Sequence, residues 1–336
     1  MRALITGLTG FVGQHLARLL LAESSWAVGG VAHGAEQLAG DLRDRVWLQA
    51  ADLRDPQATR RVIGDFAPDL VFHLAALAQA GASFRDPWRT IEANTRMQLN
   101  LLEALVEAGS SVRVLVVSSS EVYGMVRPED LPCDEETPLR PANPYAVSKV
   151  TQDMLGLQYH LSAGLDVVRV RPFNHTGPGQ SEGFVAPDFA RQVAAIEAGL
   201  QEPTMRVGNL EAERDLTDVR DVVRAYYTLA RQGVSGEVYN VGSGRARAMR
   251  DILDLLLSAS RVPIRVEPDP ERMRPSDVPR VVCDASKLAA CTGWAPTIPF
   301  EQTIADVLDD WRARSRHDAS IRSSESSVRS SEERAR

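Results

Sequence analysis

Arg2-Ala3-Leu4-Ile5-Thr6-Gly7-Leu8-Thr9-Gly10-Phe11-Val12-Gly13 opens the chain, and the reading of this stretch decides the fold. Residues 2–6 read as a strand and 11–23 as an amphipathic helix. The turn between them carries glycines at 7, 10 and 13, in GxxGxxG spacing. Such glycines allow a tight turn, close backbone approach to a pyrophosphate, and close packing of helix on strand. The helix N-terminus then offers its N–H groups to the anion. Gly7, Gly10, Phe11, Val12 and Gly13 are therefore assigned to a dinucleotide cofactor.

Working outward, strand-like runs at 27–32, 46–50, 69–74, 112–118 and 166–171 alternate with helical patterns at 56–66, 94–108 and 145–163. That alternation predicts a Rossmann-type, doubly wound α/β fold with a parallel sheet covered on both faces. Beyond about residue 172 the rhythm changes. Short strands at 204–207, 237–241 and 264–267 mix with helices near 186–200, 219–232, 247–259 and 300–313, which reads as a smaller C-terminal substrate-binding lobe. The expected division is 1–171 for the cofactor domain and 172–314 for the lobe, with parts of 219–241 returning to the sheet. Residues 315–336 are rich in Ser, Arg and Glu and read as a disordered tail.

Composition narrows the function. The chain has 336 residues and a formal charge of -7, with no basic stripe to suit nucleic acid. Cys133, Cys283 and Cys291 are widely spaced, which favours a reducing compartment over a disulfide framework. There is no signal-peptide layout and no apolar run near the roughly 18 residues that span a bilayer. A cytoplasmic protein without membrane or nucleic-acid partners is expected. No histidine pair has metal-ligand spacing and HExxH is absent, so no metal is expected.

Three further segments bear on the cofactor. The second strand ends Gly30-Val31-Ala32-His33, with neither an Asp for a ribose 2′-hydroxyl nor an Arg for a 2′-phosphate. His33 suits a phosphate and suits a solvated loop equally, so the choice between NADH and NADPH stays open. Asp52 and Leu53 are placed to meet the adenine, although Asp52 also suits a helix N-cap. After His73, which reads as a packed strand residue, comes Leu74-Ala75-Ala76, whose small residues would let a cofactor lie close to the backbone.

The chemistry is read from Tyr145-Ala146-Val147-Ser148-Lys149. The chain contains only two lysines, Lys149 and Lys287. Tyr145 and Lys149 lie one helical turn apart on one face. An ammonium beside a phenol favours the phenolate, so Lys149 is expected to lower the tyrosine pKa. The strand 112–117 ends in Ser118-Ser119-Ser120-Glu121-Val122-Tyr123-Gly124, where parallel sheets place their chemistry. Ser119 is the choice among the three serines for positioning a carbonyl beside the acid.

With TGxxGFxG, HLAA, SSSEVYG, NPYAVSK and Arg171-Pro172-Phe173-Asn174 in this order, the chain resembles an extended short-chain dehydrogenase/reductase acting on nucleotide sugars. The resemblance runs from residue 1 to about 312. The strings Arg171 to Gln180, Gly208 to Asp215 and Arg274 to Pro279 are similar to those of the GDP-4-dehydro-6-deoxy-D-mannose reductases. The GDP-mannose 4,6-dehydratases stand next; there the loop continues differently after Gly10, as does the segment after Asn174-His175. The resemblance implies reduction of GDP-4-dehydro-6-deoxy-D-mannose to GDP-D-rhamnose by NADH or NADPH, with Tyr145 as acid, Lys149 on the nicotinamide ribose, and Ser119 on the same oxygen. In the dehydratases Glu121 is the base at C5; in a reductase it orients the sugar or is a relic. Ser119, Glu121, Asn174, Val185, Asn209, Arg214 and Arg274 are the expected substrate contacts, the arginines clamping the pyrophosphate. The resemblance also implies a homodimer through helices 94–108 and 145–163. C4 stereochemistry of the product and any dehydratase activity stay open.

Overall fold

The computed structural model describes residues 1–33, 38–109, 111–273 and 278–316. Elements run β1 Arg2–Thr6, α1 Phe11–Glu23, β2 Ala27–Ala32, β3 Trp47–Ala50, α2 Pro56–Phe66, β4 Leu70–His73, α3 Ala80–Ser83, α4 Pro87–Glu107, β5 Arg113–Val117, α5 Pro144–Ala163 and β6 Asp166–Pro172. They continue with β7 Asn174–Thr176, α6 Val185–Glu197, β8 Thr204–Val207, β9 Glu213–Asp218, α7 Val219–Gln232, β10 Val238–Val241 and β11 Ala246–Ala248. Then come α8 Met249–Ser258, β12 Arg265–Pro268, β13 Arg280–Val281, α9 Ser286–Thr292 and a helix over 300–316.

Two compact units result. The first holds Met1–His175, Asp215–Ala246 and Arg280–Thr297; the second holds Thr176–Arg214, Arg247–Pro279 and the chain from Ile298. The core of the first is a seven-stranded sheet in the order β10-β6-β5-β4-β1-β2-β3, parallel at every pairing. Alternation within each strand feeds two cores. Ile5, Phe72, Leu115, Val168 and Val170 pack with Leu16 and Leu20 of α1 and Val222 and Leu229 of α7. Leu4, Val71, Val114, Val116 and Val167 pack on the other face with Phe66 of α2 and Leu101 and Leu105 of α4. Burial on both faces is why these strands read as near-continuous apolar runs.

Two boundaries differ from the sequence expectation. The helix expected at 94–108 begins at Pro87, because Asp86 accepts the Arg89 N–H as N-cap and proline suits the first helical position. The segment 280–297, expected in the smaller lobe, belongs to the first unit. Leu288 and Trp294 enter its core, and the Trp294 indole donates to the Asp221 carbonyl of α7 at 3.1 Å.

The second unit is held by a parallel β8–β12 pair, Thr204↔Arg265 to Val207↔Pro268. Arg312, on the helix 300–316, closes a largely buried ion pair with Glu197 of α6 at 2.8 Å. That helix passes through 315 and 316; the rest of the expected tail lies outside the described residues.

Candidate active site

Helix α5 starts where Asn143 accepts the Ala146 N–H at 2.8 Å and Pro144 occupies the first turn. Tyr145 is thereby set in the first turn with 8% exposure. Its backbone N–H donates to Ser83 Oγ of α3 at 3.2 Å. One turn on, Ser148 Oγ donates to the Tyr145 carbonyl at 2.7 Å and accepts from Asn94 of α4 at 2.9 Å. Asn94 also binds both backbone polar groups of Leu77. Ser83, Asn94 and Asn143 were not picked out from the sequence. Asn143-Pro144 carries a legible cap signal; the other two act only through tertiary contacts.

Lys149 is 3% exposed, and its ammonium donates to the Val117 carbonyl at the end of β5 at 2.8 Å. Ser118 Oγ returns a bond to the Lys149 carbonyl at 3.1 Å, tying β5 to α5. An ammonium has three donors; two of those of Lys149 have no partner among the described residues. Burial pulls its pKa down to about 7.

Ser119 is the N-cap of the turn that follows β5. Its Oγ accepts the Glu121 N–H at 3.2 Å, starting a single tight turn over Ser120–Val122. Glu121 in turn accepts from the Asn143 amide at 2.9 Å. These contacts draw Ser119, Glu121 and the start of α5 together. The Tyr145 phenol is pushed well above its ordinary range by burial and by the Glu121 carboxylate, against a hydrogen bond with Ser119. This corrects the expectation that Lys149 lowers it. The ammonium stands 5.9 Å from the ring centroid, while desolvation acts on the phenolate directly. The phenol is therefore protonated at neutral pH, as a general acid requires.

Behind the site lies a buried charge network that sequence reading missed. Asp153, two turns after Tyr145, accepts from Arg169 at 2.7 Å and Arg171 at 2.6 Å on β6. Arg171 also donates to the Tyr123 hydroxyl, which donates to Asn240 of β10 at 2.7 Å.

The glycine loop fits a dinucleotide. Gly7 adopts φ +74°, and a Cβ there would meet Ala75 backbone at 3.2 Å. A side chain on Gly13 would collide with the Gly7 carbonyl and Leu8 backbone, so α1 packs directly on the loop. Phe11 and Val12 are half-buried in its first turn. That turn has no side-chain cap, which leaves its amides to an anion. Thr6 Oγ accepts from Ala75 N–H at 3.2 Å and meets His73 Nδ1 at 2.9 Å, fixing Leu74-Ala75-Ala76 against the loop. His73 is the packed strand residue expected, held neutral by burial and by Lys149 with a pKa near about 3.

Other assigned residues fall differently. Asp52 is not the N-cap; Asp55 is, accepting from Gln57 N–H. Asp52 instead binds Arg54 through both oxygens, and His33 lies 3.9 Å away, exposed. The Leu53 side chain is buried in the core with residues of α2 and α4. Asn174 is exposed on β7, and Val185 opens α6 half-buried. Asn209 accepts the Glu211 N–H at 3.0 Å. The Arg214 guanidinium donates to the carbonyls of Glu213 and Val278 at 2.9 and 2.6 Å. Arg274 lies outside the described residues, as do Gly34 to Gln37. No cluster of metal-ligating side chains occurs among the described residues.

A parallel sheet with a glycine loop after β1, and a serine, tyrosine and lysine gathered at the end of β5, defines a short-chain dehydrogenase/reductase of the extended type. A family model described as GDP-mannose 4,6 dehydratase matches residues 4–307, and the chain belongs to that family. It is 39% identical over 318 residues to the GDP-6-deoxy-D-mannose reductase of Pseudomonas aeruginosa, covering 94% of this chain and 99% of the relative. It is 30% identical over 326 residues to GDP-mannose 4,6 dehydratase 2 of Arabidopsis thaliana, covering 92% and 86% respectively. The structure of RMD from Pseudomonas aeruginosa complexed with NADPH superimposes with a TM-score of 0.81 at 38% identity, covering 93% of this chain and 99% of that one.

Proposed function

We propose that this protein is an NAD(P)H-dependent oxidoreductase that reduces the 4-keto group of GDP-4-dehydro-6-deoxy-D-mannose to give GDP-D-rhamnose. The observation that carries the reading is geometric: the buried Tyr145 phenol is hydrogen-bonded to Ser119, and the buried Lys149 ammonium stands 5.9 Å from its ring centroid. The near full-length likeness to a GDP-6-deoxy-D-mannose reductase selects the substrate.

Bound NAD(P)H would supply the hydride. Tyr145 gives its proton to the developing alkoxide at C4. Ser119 donates a hydrogen bond to the same oxygen, a small oxyanion stabiliser. Lys149, with two donors to spare, holds the nicotinamide ribose. The loop at Gly7, Gly10, Phe11, Val12 and Gly13 takes the pyrophosphate, and Leu74, Ala75 and Ala76 line the cofactor. Asn174, Val185, Asn209, Arg214 and Arg274 are assigned to the GDP-sugar.

A second reading has its own support. Glu121 is close enough to push up the Tyr145 phenol, and a carboxylate there suits proton abstraction in a GDP-mannose 4,6-dehydratase or a related epimerase. The test supplies NADH or NADPH with GDP-4-dehydro-6-deoxy-D-mannose. Reductase action consumes reduced cofactor only with the keto sugar. Conversion of GDP-mannose without added reduced cofactor, abolished in Glu121→Gln, would favour the dehydratase.

We further assign a homodimer to α4 and α5. Val147, Met154 and Leu161 recur every seven residues along α5 and are 39%, 38% and 74% exposed, an apolar stripe that a second copy would cover. None of the described helices is long and apolar enough to cross a membrane. A cytoplasmic location is proposed from the three free thiols.

A further inference from the structure

Tyr145, Lys149 and Asp153 recur every four residues along one face of α5 and are 8%, 3% and 0% exposed. The first two belong to the proposed catalytic set; Asp153 does not. A carboxylate so deeply buried needs a counter-charge, and this one takes two. Oδ1 accepts from Arg169 Nη1 at 2.7 Å and Oδ2 from Arg171 Nε at 2.6 Å, both on β6. One guanidinium would balance the charge. The second carries a further contact: Arg171 Nη1 donates to the Tyr123 hydroxyl at 3.1 Å and to the Glu135 carbonyl at 3.0 Å.

Tyr123 is fully buried, and its hydroxyl both accepts and donates. It accepts from Arg171 and donates to Asn240 Oδ1 of β10 at 2.7 Å. Asn240 is itself held: its side-chain amide donates to the Cys133 carbonyl at 3.0 Å and its backbone N–H to Glu135 Oε1 at 2.7 Å. The hydroxyl is therefore tied to α5 through β6. The backbone of Tyr123 lies in the turn that Ser119 opens. Val122 N–H donates to the Ser119 carbonyl at 3.2 Å, Tyr123 N–H to the Ser120 carbonyl at 3.0 Å, and Gly124 N–H to the Glu121 carbonyl at 3.1 Å. A turn bonded at successive residues moves as one body, so an anchor on Tyr123 reaches Ser119.

We infer that Arg171 and Tyr123 are positioning residues for the reaction: the buried chain Asp153–Arg171–Tyr123 fixes the Ser119 hydroxyl relative to Tyr145, which lies on a different element. The inference rests on the proposal that Ser119 and Tyr145 act on one keto oxygen. Arg171 and Tyr123 act through Ser119 and not on the reacting atoms. Tyr123→Phe removes a single hydroxyl. It keeps the ring beneath the Arg171 guanidinium and beside Phe173, and it leaves Arg171 its bond to Glu135. A misplacement of about 1 Å at a catalytic group costs up to about 10²-fold, so a partial loosening should lower kcat about tenfold with KM unchanged.

The test is a double-mutant cycle of Tyr123→Phe and Ser119→Ala on keto-sugar reduction, with hydrogen–deuterium exchange of the full chain measured without ligand. In the Ser119→Ala background Tyr123→Phe should cost less than about twofold, because the group it positions is gone. A merely structural role would give additive losses instead. Exchange at the amides of residues 121–124 should rise about tenfold in Tyr123→Phe, while α1 and α2 stay as in wild type and report intact folding. Additive losses, wild-type kcat in Tyr123→Phe, or unchanged exchange in that turn would each overturn the inference. The exchange arm needs no sugar. If wild type ignores the keto sugar, the proposed substrate falls, and exchange at 121–124 still decides whether Tyr123 holds the turn.

Discussion

Tyr145→Phe removes one oxygen from the centre of the proposed reaction and little else. The ring is 8% exposed in wild type and keeps its packing as phenylalanine. Its hydrogen bond with Ser119 is lost, at a cost of about 1 kcal/mol in folding stability. The kinetic cost is larger. A positioned general acid is worth about 10²–10⁴-fold, or about 2.7–5.4 kcal/mol in the barrier. Turnover should fall by that factor while cofactor affinity, which the proposal assigns to the glycine loop and Lys149, stays close to wild type. The assay follows reduced cofactor consumption with the keto sugar at saturation and cofactor binding in parallel. The pH profile adds a second constraint. Burial raises the phenol above its ordinary value, so Tyr145 itself stays in its acid form into alkaline pH; a decline in turnover near pH 7 would belong to Lys149, whose pKa burial lowers to about 7. Turnover within about threefold of wild type would refute Tyr145 as the acid, since general acid catalysis could not then be acting through it.

Other outcomes follow from the same structure. Asp153→Asn leaves two buried arginines short of their counter-charge and should destabilise folding by about 3–5 kcal/mol in chemical denaturation. His73 has a folded pKa near about 3 against 6.5 unfolded, so the unfolded chain binds the extra proton between those values. Its contribution is full above pH 6.5 and is lost as pH falls towards about 3; denaturation midpoints across that window should slope less in His73→Asn. Leu161→Glu, in the most exposed position of the α5 stripe, should yield monomers by light scattering, and a wild-type monomer would remove the dimer.

Much of this was legible because it is local. The strand–glycine–helix order of 2–23 and the continuous apolar strands depend on short-range pattern, and both recur in the seven-stranded sheet. Tyr145 and Lys149 are one turn apart by helical geometry alone. What escaped depends on contacts distant in sequence. Ser83 reaches Tyr145 across 62 positions and Asn94 reaches Ser148 across 54, and neither leaves a periodic trace. The sign of the Tyr145 shift also escaped, because spacing reports a neighbour's charge and not the depth of burial, and burial won. The start of α4 was readable from Asp86-Pro87 but hidden by the scattered apolar positions between 87 and 94. The return of 280–297 to the first unit turns on Trp294 finding the Asp221 carbonyl, which no window of sequence contains.

The central claim is that Ser119, Tyr145 and Lys149 serve reduction of a keto sugar. The most direct measurement mixes the protein with reduced cofactor and GDP-4-dehydro-6-deoxy-D-mannose generated in place from GDP-mannose, with GDP-mannose alone as control. Cofactor oxidation only in the presence of the keto sugar is the predicted result. No oxidation, together with loss of GDP-mannose to a keto product in the control, would contradict the reductase and give Glu121 the role of base.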